Sequence, residues 1–124
     1  MNAAHLLTAE LREKLRANAE APGADHLPVV KFFNPAGAGI WLATELGDGD
    51  DTLFGIADLG FGCPEVGSFS LDELASLRLP FGLRIERDIA FSTEHSLSAW
   101  AEAARATGSL GAAERVLAAA RRRR

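Results

Sequence analysis

A single cysteine, Cys63, leaves the chain without a second thiol, so no internal disulfide can staple the fold. A reducing compartment agrees with that, and cytoplasm is the expected location. Long apolar runs are missing too: none approaches the ~18 residues of a membrane-crossing helix, and the amino terminus lacks the basic-then-apolar order of a signal peptide. Histidine is scarce. His5, His26 and His95 form no His-x-His or His-x-x-x-His pair, which removes the usual zinc arrangements, and no metal or cofactor is expected. Positive charge is nearly absent from Glu20 to Ala75, where ten carboxylates meet one cation, Lys31. The net charge of −4 argues against a general nucleic-acid binder, which should be basic.

What is present suits one folded domain. The 124 residues are 48% apolar and 24% charged, ordinary for a soluble globular chain and too few for two stable cores. Residues 1–120 are read as a single domain and 121–124, four arginines, as a solvated basic tail. Nine arginines against five carboxylates make residues 76–124 positive, so charge is segregated along the chain. Segregation of this kind bears on partners and association rates, not on fold.

Leu7, Leu11 and Leu15 recur every fourth residue and Thr8 is placed to cap, which predicts a helix over Ala9–Ala19. Pro22, Gly23 and Pro28 break it. Val29–Phe33, Ile40–Leu46 and Thr52–Leu59 carry β-branched and aromatic residues bounded by turn signals, and Gly47–Asp51 joins the last two as a hairpin. Period-two alternation puts Trp41, Ala43 and Glu45 on one face, and Phe54, Ile56 and Asp58 on one face of the next strand. Ser70 and Glu73 have capping-box spacing for a short helix, Leu71–Leu77. Leu83–Phe91 reads as a fourth strand with Ile85, Arg87, Ile89 and Phe91 on one side. A helix through Trp100 ending near Gly108 follows, then an alanine-rich segment that docks through Leu110, Val116 and Leu117. Both faces of the strands are apolar. The expected fold is therefore α+β, a small antiparallel sheet of about four strands packed by amino-terminal and carboxy-terminal helices.

Several segments together carry a resemblance: Pro28–Phe33, Trp41–Leu46, Phe54–Gly62, Pro64–Gly67, Ser70–Leu74, Glu86–Asp88 and Leu97–Arg105. Across residues 6 to 110 the chain resembles the uncharacterised bacterial domain-of-unknown-function family 2958. The resemblance implies a small protein of plasmids and integrative elements with a role in transfer, maintenance or evasion of host defence. It supplies no mechanism, and Cys63 stands where the family tends to have a bulky apolar residue.

Phe54–Leu74, which gathers glycines, carboxylates and Cys63, is the first place to look for a site. A catalytic thiol needs a cation or histidine beside it, and no partner motif supplies one. Asp48-Gly-Asp-Asp51 lacks the ligand spacing of a calcium loop and reads as a turn. Gly60-Phe-Gly62 lacks the residues of a phosphate loop, and its carboxylate neighbours repel phosphate.

The leading expectation is a non-enzymatic interaction protein with an acidic face. Glu45, Asp48, Asp50, Asp51, Asp58 and Glu65 would supply negative potential and Trp41 or Phe61 an apolar anchor. Its partner would be a basic protein or a nucleic-acid-handling complex, met by carboxylates placed where phosphates would sit, in an anti-defence or accessory role. The first alternative is a small enzyme using Asp58 and Glu65, with Cys63 or Arg87, as an acid and base pair. The second is a weak nucleic-acid binder acting through Arg121–Arg124.

Overall fold

Thr8 opens the first helix, α1 (Ala9–Ala19), by accepting the Leu11 amide on its hydroxyl at 3.2 Å. The structure, a computed structural model, describes residue 3 and residues 5–122, the last two by their backbone alone. Five strands follow α1 in one antiparallel sheet: β1 (Val30–Phe33), β2 (Ile40–Leu46), β3 (Thr52–Asp58), β4 (Glu65–Ser70) and β5 (Glu86–Arg87). Their order is β4-β3-β2-β1-β5. A short helix, α2 (Leu71–Ser76), continues directly from β4, and α3 (Leu97–Thr107) and α4 (Leu110–Arg122) complete the chain. The fold is α+β, with five strands where the sequence predicts about four.

Two corrections concern the strands. Glu65–Ser70 belongs to the sheet, paired with β3 from Thr52↔Ser70 to Ala57↔Glu65, although its glycine and serines have low strand propensity. Leu83–Phe91 contributes only the two residues of β5. Ile85 is fully buried, Ile89 is exposed and Phe91 packs near Trp100, so these residues do not share a side.

Helices cover both faces of the sheet. On one face Val30, Phe32, Trp41, Ala43, Leu46 and Leu53 pack with Leu6, Leu7 and Leu15. On the other, Leu42 and Ile56 pack with Leu97, Trp100, Leu110 and Ala113 from α3 and α4. Each large side chain so buried contributes about 1.5–3 kcal/mol. Leu110 and Leu117 dock as expected, whereas Val116 stays half exposed. Gly108 ends α3 at φ 89°, its amide returning to Ala104 at 2.7 Å. The helical backbone of α4 includes Arg121 and Arg122, while Arg123 and Arg124 of the expected tail lie outside the described residues.

A β-bulge decides which way β2 faces. Ala43 pairs with Gly55 and Glu45 with Phe54, so Thr44 is an extra residue between them. Thr44 is buried, donating its hydroxyl to the Phe54 carbonyl at 3.1 Å and offering its own carbonyl to Asn18 Nδ2 at 2.9 Å. Beyond the bulge the alternation is inverted, and Leu46 joins the face of Trp41 and Ala43. Glu45 therefore points to the α3 side, against the expectation that it shares a face with Trp41 and Ala43. Phe54, Ile56 and Asp58 do share a face, the one toward α3 and α4.

Candidate functional site

The expected acidic face is largely absorbed by the fold. Trp41 is 6% exposed and Asp58 is 2% exposed, which removes both from the surface. Asp58 Oδ1 accepts the Gly60 amide and Oδ2 the Leu110 amide, each at 2.8 Å, tying the end of β3 to the start of α4. Asp51 caps α2: its carboxylate accepts the Ser70 hydroxyl at 2.8 Å and the Asp72 amide at 2.7 Å. Ser70 accepts the Glu73 amide at 3.1 Å, so the Ser70 arm of the expected capping box forms, with Asp51 as its further partner.

Asp50 sits at φ 65° in the hairpin and is gripped by Arg12 at 2.8 Å and Arg16 at 2.5 Å, both from α1. Desolvation works against its charge, but the Arg16 hydrogen bond and the two guanidinium charges outweigh it and hold the carboxyl below its ordinary 3.8. A lowered folded pKa means the pair stabilises above the unfolded value and is lost as pH falls through the folded one. Asp50→Asn removes the charge with a residue that tolerates the same backbone. At neutral pH the variant should lose under about 1 kcal/mol, because the pair is half exposed and screened. Urea titrations across pH will show that difference shrinking as pH falls below the ordinary 3.8 of the carboxyl and vanishing once Asp50 is protonated; a difference that persists there means the ion pair is not its source.

Nor does the carboxylate pair assemble. Glu65 stands opposite Ala57, whose side chain packs on the α1 side, and Asp58 turns to the α4 side. The two acids project from opposite faces of the sheet. Cys63 is exposed, and Arg87 donates to the Leu6 carbonyl at 3.2 Å. Among the described residues no cluster of histidine, cysteine or carboxylate side chains is placed to hold a metal ion. Asp48 is exposed at the hairpin tip, and Phe61 is 82% exposed at the opposite end of the sheet, beside exposed Leu59.

Glu45 leads to the surface that the fold does build. β4 is the outer strand of the sheet, and α3 packs over its neighbour β3. Between α3 and β4 runs an open groove of about 570 Å³. Phe54 and Val66 form its floor, Leu97 and Ala101 its α3 wall, and Pro22–Asp25 close one end. Val66 is 47% exposed there. Glu45 enters the groove because of the Thr44 bulge. Asp25 stands at the same end, where it accepts the Ser98 amide at 3.0 Å and the Ser98 hydroxyl. The Ser98 side-chain and backbone hydrogen bonds keep the Asp25 carboxyl below its ordinary range, so it is charged at neutral pH. Arg105, one turn beyond Ala101, lines the groove and makes no ion pair among the described residues.

Of the residues expected from sequence, only Glu45 lines this groove; Asp25, Phe54, Val66, Ala101 and Arg105 were not singled out. A signal was present on α3. Ser98, Ala101 and Arg105 fall at i, i+3 and i+7, a small-residue stripe ending in a cation that borders the core face, where Ala101 is buried with Trp100 and Ala104.

Fold and groove define a small α+β domain with helices on both sheet faces and one outer strand left open. The family described as protein of unknown function (DUF2958) matches residues 6–111, and the chain belongs to that family. No curated protein and no solved structure matches it. Among the described residues no helix is long and apolar enough to cross a membrane.

Proposed function

We propose that the protein is a non-enzymatic interaction module that receives an extended segment of a partner protein along β4 and its adjoining groove. One observation carries the reading. β4 is a six-residue outer strand whose only charge is Glu65 at its first position, with no lysine and no internal proline to protect its edge. The opposite edge, β5, is two residues long and offers little to pair with. Strand addition gains main-chain hydrogen bonds and places alternate side chains of the incoming segment over Val66 and Phe54. Of the acidic partner-binding surface expected from sequence, this reading keeps Glu45 and adds Asp25 beside it. An accessory or anti-defence role on mobile elements, implied by the family resemblance, is proposed with it.

Affinity capture from a bacterial lysate tests this reading when run on variant pairs. Val66→Lys and Ser68→Lys place charges on the groove side of β4 and should abolish capture of whatever the wild-type protein retains. Asp48→Lys at the hairpin tip should leave capture intact. Loss with Asp48→Lys and retention with both groove variants would move the binding surface to the acidic hairpin.

A further inference from the structure

Resting on that reading, we infer that the groove takes a carboxy-terminal peptide, antiparallel to β4, with its terminal carboxylate at Arg105 and a lysine or arginine upstream at Glu45 and Asp25. The polarity of the groove supports this. α3 begins beside Asp25, which caps it through Ser98, and the following turn brings Leu110 to Asp58 at the end of β3. Arg105 therefore marks the end of the groove where β4 begins, and the two carboxylates mark the other. β4 runs from Glu65 to Ser70, so an antiparallel segment runs from the acidic end toward Arg105 and brings its carboxy terminus to the cation.

The strand also stops there. Pro64 precedes Glu65 and has no amide hydrogen, so an added strand loses its ladder where its chain would end. The carboxylate of Glu65 does not compete for Arg105, because it is on the α1 face with Ala57. Ser98 to Arg105 spans about 10 Å of helix, or about three residues of extended chain. With alternation, the basic residue falls about four positions before the terminus, on the same face as the apolar side chains that cover Val66 and Phe54.

The test uses the full chain and a hexapeptide library displayed with free carboxy termini, beside the same library amidated. Expected is enrichment of free-carboxylate peptides with lysine or arginine near the second position and alternating apolar residues after it. The best such peptide should bind about tenfold more weakly once amidated, the usual loss for one charge-assisted hydrogen bond. Arg105→Gln should erase that preference, and Glu45→Gln should erase the preference for the upstream cation. Arg105 is exposed and unpaired among the described residues, so the variant's thermal unfolding should match wild type. Equal enrichment of amidated peptides, still abolished by Val66→Lys, overturns the carboxylate assignment while strand addition at β4 stands. Enrichment from neither library overturns it as well, and strand addition falls with it only if lysate capture is also indifferent to Val66→Lys. A sedimenting dimer that buries β4 and is not dissociated by the peptides assigns the edge to a second copy and likewise overturns the proposal.

Discussion

Gly55→Ala is expected to remove about 4 kcal/mol of stability, a large share of what a domain of this size has. A methyl group on Gly55 would lie 1.8 Å from the Leu42 carbonyl oxygen, 2.8 Å from its carbon and 2.9 Å from the Ala43 Cα. All three are backbone atoms of the neighbouring strand, so no rotamer change relieves the clash and β2 must separate from β3. The close approach occurs at the register Ala43↔Gly55, immediately before the Thr44 bulge bends β2. Gly67 supplies the control. It pairs with Gly55 on the other side, yet a Cβ built there meets nothing within 4 Å. Gly67→Ala should stay within about 0.5 kcal/mol of wild type. Urea unfolding of both variants decides the matter, and a Gly55→Ala loss below about 1 kcal/mol would mean the strands are not this close. The functional stake is Glu45: a sheet that opens at Gly55 loses the bulge that turns this carboxylate into the groove.

Local rules account for what the sequence made legible. Thr8 and Ser70 cap helices three residues downstream, Gly108 ends one, and the Gly47–Asp51 hairpin closes on itself through Gly47 and Thr52 at 2.8 Å. Each depends on neighbours within a few positions. β4 was missed because Glu-Val-Gly-Ser-Phe-Ser has no strong propensity of its own; its strand state comes from pairing with β3. The inverted face of Glu45 was missed for a related reason. Alternation alone groups Glu45 with Trp41, and only the bonds from Thr44 to Phe54 and from Asn18 to Thr44 reveal the extra residue. The acidic residues misled in a consistent way. A sequence shows ten carboxylates in one stretch but not that Asp50, Asp51 and Asp58 are occupied by groups 19 to 52 positions away. The groove is harder still, since its walls come from the Pro22–Asp25 loop, the sheet and α3, brought together by tertiary packing alone.

Asp58→Ala is the second large effect, expected to cost about 3 kcal/mol. The carboxylate is almost wholly buried and has no ion-pair partner among the described residues; what keeps it there is two amide donors at 2.8 Å and the start of a 13-residue helix. Anions are stabilised at that position by the unpaired amides and dipole of the first turn. Alanine leaves the buried Leu110 amide without an acceptor, so its desolvation cost is added to the two lost bonds, while the Gly60 amide lies in an exposed turn that water reaches. Asparagine keeps one acceptor oxygen but turns an amide group toward the other donor, and about half the loss is expected. Hydrogen exchange gives the specific readout: protection should fall first at Leu110 and Gly60, because α4 loses its tie to β3 before the sheet opens. A catalytic Asp58 would predict the reverse, a stable variant with an impaired site. A loss below about 1 kcal/mol in Asp58→Ala, with Leu110 still protected, would show that α4 docks through Leu110 and Ala113 without help from the carboxylate.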